Sequence, residues 1–217
     1  MNDKKGIELV KADSNSKISI VIGNTNIKPQ GHPVSVKFEK QAAHVYLLVD
    51  TSGSMANDKL EQAKRGIIDF AKDAFRKEYD VGLISFNTTA KHICQPTYDL
   101  EVLKKCVGTL NVTGSTNMAE AITLAREYFK PLKNMRVIVI ATDGLPDNAQ
   151  EALNAAAKAK EDKIDIITIG TDDADQEFLK KIASRAELGK KVESAIFSSA
   201  ISSASSLLPP PKSITKR

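Results

Sequence analysis

The chain has 217 residues, 41% hydrophobic and 27% charged, with a formal net charge of +4, which suits one ordinary globular domain plus a short appendage. Lys and Arg are scattered among Asp and Glu and tryptophan is absent, which argues against a nucleic-acid-binding stripe. No stretch reaches the roughly 18 apolar residues of a membrane span.

Residues 1 to 41 read as an N-terminal β-hairpin-like extension. Ile18, Ile20 and Ile22 alternate with Ser19 and Val21, and Val34, Val36 and Phe38 alternate with Ser35, Lys37 and Glu39. A period of two is that of a half-buried strand. Turn formers separate the runs, at Gly23-Asn24-Thr25-Asn26 and Pro29-Gln30-Gly31-His32-Pro33.

A different rhythm occupies residues 42 to 208. Val45–Val49 is apolar without alternation, as in a strand covered on both faces. Leu60, Ala63, Ile67, Phe70, Ala71 and Ala74 recur at helical spacing, with Asn57 or Asp58 placed to cap. Val81–Phe86 reads as a strand, Ala90–Cys94 as a short neighbour and Leu100–Cys106 as a brief helix. Met118, Ala121, Ile122, Ala125 and Phe129 mark a further helix, followed by the apolar strand Val137–Ala141 and an alanine-rich helix near Ala149–Lys160. Next come a strand at Ile164–Ile169, a helix carrying Phe178, Leu179, Ile182 and Ala183, a short strand near Val192, and a last helix over Phe197–Leu207. Pro209-Pro210-Pro211 stops that helix, and residues 209 to 217 are expected to form a flexible basic tail.

Strands alternating with helices predict a three-layer, doubly wound α/β domain: a mostly parallel central sheet with helices on both faces. Ligands of such sheets bind at the carboxyl ends of the strands. Asp50-Thr51-Ser52-Gly53-Ser54-Met55 follows the first core strand, and Ala141-Thr142-Asp143-Gly144 closes another. Gly114-Ser115-Thr116-Asn117 precedes a helix and is expected at the same rim. Carboxylates and hydroxyls converging on one point suit a hard cation such as Mg²⁺ or Mn²⁺.

Asp50-x-Ser52-x-Ser54, then Thr116, then Asp143 resembles the metal-ion-dependent adhesion site of the von Willebrand factor A domain family, in forms similar to those of bacterial members. The resemblance covers residues 42 to 208. It implies that Ser52 and Ser54 ligate a divalent cation directly, with Asp50 directly or through water. It implies direct ligation by Thr116 in the ligand-bound form and a water-mediated role for Asp143. The implied cofactor is Mg²⁺, with Mn²⁺ or Ca²⁺ as alternatives. The implied function is that of an adaptor or scaffold module, not an enzyme, which binds a Glu or Asp carboxylate of a partner protein at the cation. Bacterial relatives of this kind occur alongside ATPases, kinases and phosphatases, or in stress-resistance systems including tellurite resistance. The resemblance also makes Phe197–Leu207 the candidate for a helix that shifts when the site closes.

Other readings compete with this one. Asp50, Ser52 and Ser54 could merely cap the following helix. Asp50 at a strand end also resembles the nucleophile of haloacid-dehalogenase-type phosphatases, but the second acid needed two residues later is Ser52. No GxxxxGK[ST] or GxSxG segment occurs, which speaks against a P-loop or a serine hydrolase. His32, His44 and His92 lack the spacing of zinc ligands. Met1-Asn2-Asp3-Lys4-Lys5 is not followed by an apolar signal region, and Cys94 and Cys106 are the only cysteines. These features favour a cytoplasmic setting with reduced thiols.

Overall fold

The computed structural model describes residues 7–9, 20–22, 25–27, 43–132 and 134–210. Contacts divide the chain into two compact units, 1–40 and 41–217. In the first unit β1 (Ile7–Leu9), β2 (Ile20–Ile22) and β3 (Thr25–Ile27) form an antiparallel sheet in the order β1-β2-β3. The strand expected at Ile18–Ile22 is present over its last three residues. It pairs with Ile7–Leu9 on one side and, through Ile22 opposite Thr25, with β3 on the other. The run at 34–38 lies outside the described residues, as do positions 211–217 of the expected tail.

The second unit is the α/β domain. Its strands are β4 (Ala43–Asp50), β5 (Tyr79–Phe86), β6 (Ala90–Thr97), β7 (Arg136–Thr142), β8 (Asp165–Gly170) and β9 (Gly189–Lys191). Its helices are α1 (Lys59–Arg76), α2 (Leu100–Gly108), α3 (Met118–Phe129), α4 (Ala149–Glu161), α5 (Gln176–Ile182) and α6 (Phe197–Ser203). The sheet runs β6-β5-β4-β7-β8-β9, and every neighbouring pair is parallel except β5–β6. The last strand ends at Lys191, just before Val192, and a 3-10 turn at Ala204–Leu207 completes the last helical segment.

The unbroken apolar run of β4 follows from its central position. Val45, Leu47 and Val49 face a core shared with α1, α2 and α6, while Tyr46 and Leu48 face a second core shared with α3, α4 and α5. Both faces are therefore dry, so no polar alternation is required. Helix α1 needs only one apolar stripe. It buries Leu60, Ala63, Ile67, Phe70, Ala71, Ala74 and Phe75 and turns Glu61, Arg65, Asp69 and Lys72 outward. Four helices start on side-chain caps: Asp99 for α2, Asn117 for α3, Asn148 for α4 and Asp175 for α5. At α1, Asp58 holds the cap position but its side chain makes no capping bond.

Candidate metal centre

β4 and β7 are adjacent parallel strands, with Val49 paired to Ala141. Asp50 and Thr142 therefore emerge side by side at the same sheet edge. The Thr142 hydroxyl donates to Asp50 Oδ2 at 2.6 Å, and the Ser52 N–H donates to Asp50 Oδ1 at 2.8 Å. Asp50 is fully buried (0% exposed). Burial pushes its proton affinity up, to a pKa of about 6. The hydrogen bonds from Thr142 and Ser52 work against that shift, and the neighbouring charge of Asp143 adds to it.

The Ser52 and Ser54 hydroxyl oxygens lie 3.0 Å apart, and the Ser54 hydroxyl donates to Asp143 Oδ1 at 2.7 Å. Ser52 sits at the N-cap of the 3-10 turn Gly53–Met55, yet its side chain does not cap that turn. A purely local capping role would put that hydroxyl on the backbone, whereas it meets Ser54 instead. Ser54 is exposed, so the cluster opens to solvent there.

Thr116 joins this rim through backbone couplings. The Gly53 N–H donates to the Gly114 carbonyl at 3.0 Å and the Thr113 N–H to the Thr51 carbonyl at 2.7 Å. Gly114 has φ +75°, the left-handed region where glycine is at ease, and this lets its carbonyl turn toward Gly53. On the other side the Asp147 carboxylate accepts the Thr116 N–H at 3.1 Å and the Ser115 hydroxyl at 2.7 Å, while the Asp147 N–H donates to the Thr116 carbonyl at 3.0 Å. Asp147 thus clips the Thr116 loop to the Asp143 loop. Among the described residues no hydrogen bond links the Thr116 side chain to those of Asp50, Ser52, Ser54 or Asp143. Its attachment to the cluster is by loop, not by hydroxyl.

One cation already lies against this site. Lys59 Nζ donates to Asp143 Oδ2 at 2.6 Å and lies 2.8 Å from Asp172 Oδ2. Burial alone would lower the proton affinity of Lys59, but its hydrogen bonds to Asp143 and Asp172 outweigh that and hold the ammonium charged. The Thr171 N–H donates to the Thr142 carbonyl at 3.1 Å and the Asp173 N–H to the Asp143 carbonyl at 3.0 Å, which fixes the Asp172 loop beside the site. Lys59, Asp147 and Asp172 are functional candidates that sequence reading missed. In the sequence Lys59 is one more polar residue of an amphipathic helix, and the two aspartates are turn formers.

The donor set fits a hard divalent cation. It offers hydroxyl and carboxylate oxygens only, the two carboxylates are nearly inaccessible, and the neighbourhood draws in an ammonium. Among the described residues no group of three or more His, Cys, Asp or Glu side chains could hold a metal ion.

Known proteins resemble this chain in sequence and in fold. The family model described as von Willebrand factor type A domain matches residues 44–206. The magnesium-chelatase 67 kDa subunit of Chlorobaculum tepidum is 27% identical over 168 residues; the match takes in 73% of this chain, which spans only 25% of that subunit. Among solved structures, the vWF domain of the type V pili tip protein Mfa5 from Porphyromonas gingivalis superimposes with a TM-score of 0.68 at 14% identity, covering 76% of this chain and 94% of that one. Proximal thread matrix protein 1 from the mussel byssus, with a zinc-occupied MIDAS motif, has a TM-score of 0.65 at 19% identity and covers 76% of this chain and 46% of its own.

Proposed function

The chain belongs to the von Willebrand factor type A domain family, and from that premise we propose that it is a divalent-metal-dependent protein-binding module with no reaction of its own. Ser52, Ser54 and Thr116 would hold the cation through their hydroxyls, with Asp50 and Asp143 supplying negative charge. Mg²⁺ is the ion the all-oxygen donor set favours, with Mn²⁺ or Ca²⁺ able to replace it. When bound, the cation supplies Lewis acidity toward a Glu or Asp carboxylate of the partner. The observation that carries this reading is the Ser54 bridge: its hydroxyl lies against that of Ser52 and donates to the Asp143 carboxylate, 89 positions further along the chain.

The residues divide the work. Thr142 and the Ser52 backbone orient Asp50, and Asp147 fixes the loop that carries Thr116. Ser54 keeps the cluster open to solvent, where a partner side chain would enter. Among the described residues no helix is long and apolar enough to cross a membrane, and the partner is taken to be another protein, an ATPase, kinase or phosphatase being the kinds proposed. We further place the chain in a cytoplasmic, bacterial stress-response setting.

Partner capture from a cell extract is expected with Mg²⁺ and to be lost in EDTA, with the far-ultraviolet circular dichroism of the domain unchanged. Capture that persists undiminished in EDTA rules the mechanism out.

A pH dependence follows from Asp50. Its folded pKa of about 6 lies above the ordinary 3.8. Between those values the folded metal-free domain holds a proton that the unfolded chain has released, so its stability falls as pH rises through that window. Cation binding requires the ionised form, so loading is expected to weaken about tenfold per unit as pH drops below about 6, one proton competing with one ion. Mn²⁺ titrations between pH 5 and 7.5 read this directly. A flat profile would show that Asp50 does not compete for the ion.

A further inference from the structure

A lysine at the first position of a helix is poorly placed, because the exposed N–H groups there carry partial positive charge. Lys59 stands there, and its ammonium contacts Asp143, whose side chain has no exposed surface. Its own side chain is only 18% exposed, so it is no solvated surface charge.

The backbone is bent to deliver this contact. Asn57 and Asp58, the two residues before it, have φ of 58° and 78°, and Asp172 across the site has φ of 45°. Left-handed backbone is uncommon for residues other than glycine, and Asn and Asp tolerate it best. Such strain persists where the surroundings over-determine it. Here two such residues immediately precede Lys59 and a third is Asp172, the two carboxylate contacts of the ammonium being Asp143 and Asp172.

The electrostatic consequence is specific. The Asp143 carboxylate accepts Ser54 on one oxygen and Lys59 on the other, so much of its charge is already balanced. The same ammonium also pairs with Asp172, whereas Asp50, held by Ser52 and Thr142, has no cationic partner among the described residues.

Resting on the metal-binding reading above, we propose that Lys59 is a tethered counter-cation: it competes with the divalent ion for the Asp143 carboxylate, which weakens the hold on the ion and leaves it more receptive to a partner carboxylate. Lys59 is a positioning and tuning residue, not a ligand.

The test is titration of Mn²⁺ into wild type, Lys59→Met and Lys59→Arg, following the signal of free Mn²⁺ by electron paramagnetic resonance, with circular dichroism to check each fold. Lys59→Met is expected to bind about tenfold tighter or more, because a full positive charge leaves the vicinity of the ion, and Lys59→Arg to remain near wild type. Should Lys59→Met not fold, Lys59→Gln is read the same way. Binding by wild type with unchanged or weaker affinity in the neutral variant overturns the role of Lys59 and spares the metal site. Equal tightening by Lys59→Arg also overturns it, since charge would then not be the cause. Absence of Mn²⁺ binding in wild type and variants alike overturns the metal reading and this inference with it.

Discussion

Asp50→Asn is expected to lower divalent-cation affinity by about a hundredfold or more while the domain stays folded. Asp50 and Asp143 are the two buried carboxylates of the site, and Lys59 already balances much of the second. Removing the charge of Asp50 therefore takes away the buried carboxylate that has no cationic partner among the described residues. The amide keeps the shape: its oxygen can accept the Ser52 N–H, and its nitrogen can donate to the Thr142 hydroxyl oxygen, which now sits 2.6 Å from Asp50 Oδ2. Above pH 6 the metal-free fold carries an ionised carboxylate that burial disfavours, so the neutral amide is expected to raise metal-free stability at pH 7. Asp50→Ala differs, because it strands the Ser52 N–H and costs about 1–3 kcal/mol for a buried donor left unpaired. Calorimetric Mn²⁺ titration and urea unfolding in EDTA give both readings. Full cation affinity in Asp50→Asn would end the assignment of this carboxylate to the metal.

The α/β layout was legible because its strands and helices carry unambiguous periods. The runs at Val45–Val49 and Val137–Ala141 are covered on both faces, and the 3.6-residue stripes of α1 and α3 match their buried sides. The ends of elements were less legible. Ala90–Cys94 extends to Thr97 as an antiparallel edge strand, with register shifts against β5 that no spacing announces. At the site, Asp50, Ser52, Ser54 and Asp143 could be picked out because each ends or follows a strand whose end is marked. Asp147 and Lys59 could not, since their roles depend on which loops approach in space. The cap of α1 shows the same limit. Asp58 stands where a capping residue should, but its backbone is spent on turning the chain toward the site and its side chain is left off the helix end.

Phe197→Ala is expected to cost about 3–5 kcal/mol, a large part of the stability of a domain this size. Helix α6 has seven residues, four of them serine, and no capping side chain, so it has little helical stability of its own. What holds it is docking onto α1. Phe197 and Ile201 are fully buried, and Gly66 forms the seat beneath them. A Cβ at position 66 would stand 2.6 Å from the Ser198 carbonyl oxygen and 2.9 Å from Ile201 Cβ, closer than packed atoms approach. Gly66→Ala should therefore push α6 off its seat, at about 1–3 kcal/mol. Past the helix, the Lys77 ammonium donates to the Ser205 carbonyl at 2.7 Å and the Tyr79 hydroxyl to the Pro209 carbonyl at 2.7 Å, which tie down the end of the segment. With the far end held and the first buried ring of the helix removed, Phe197→Ala is expected to show its first loss of amide-exchange protection within 197–207, ahead of α1 and β4. Urea unfolding measures the total. A loss below about 1 kcal/mol, well under the range for a truncated buried phenylalanine, would show that α6 does not depend on that ring for its place on the sheet.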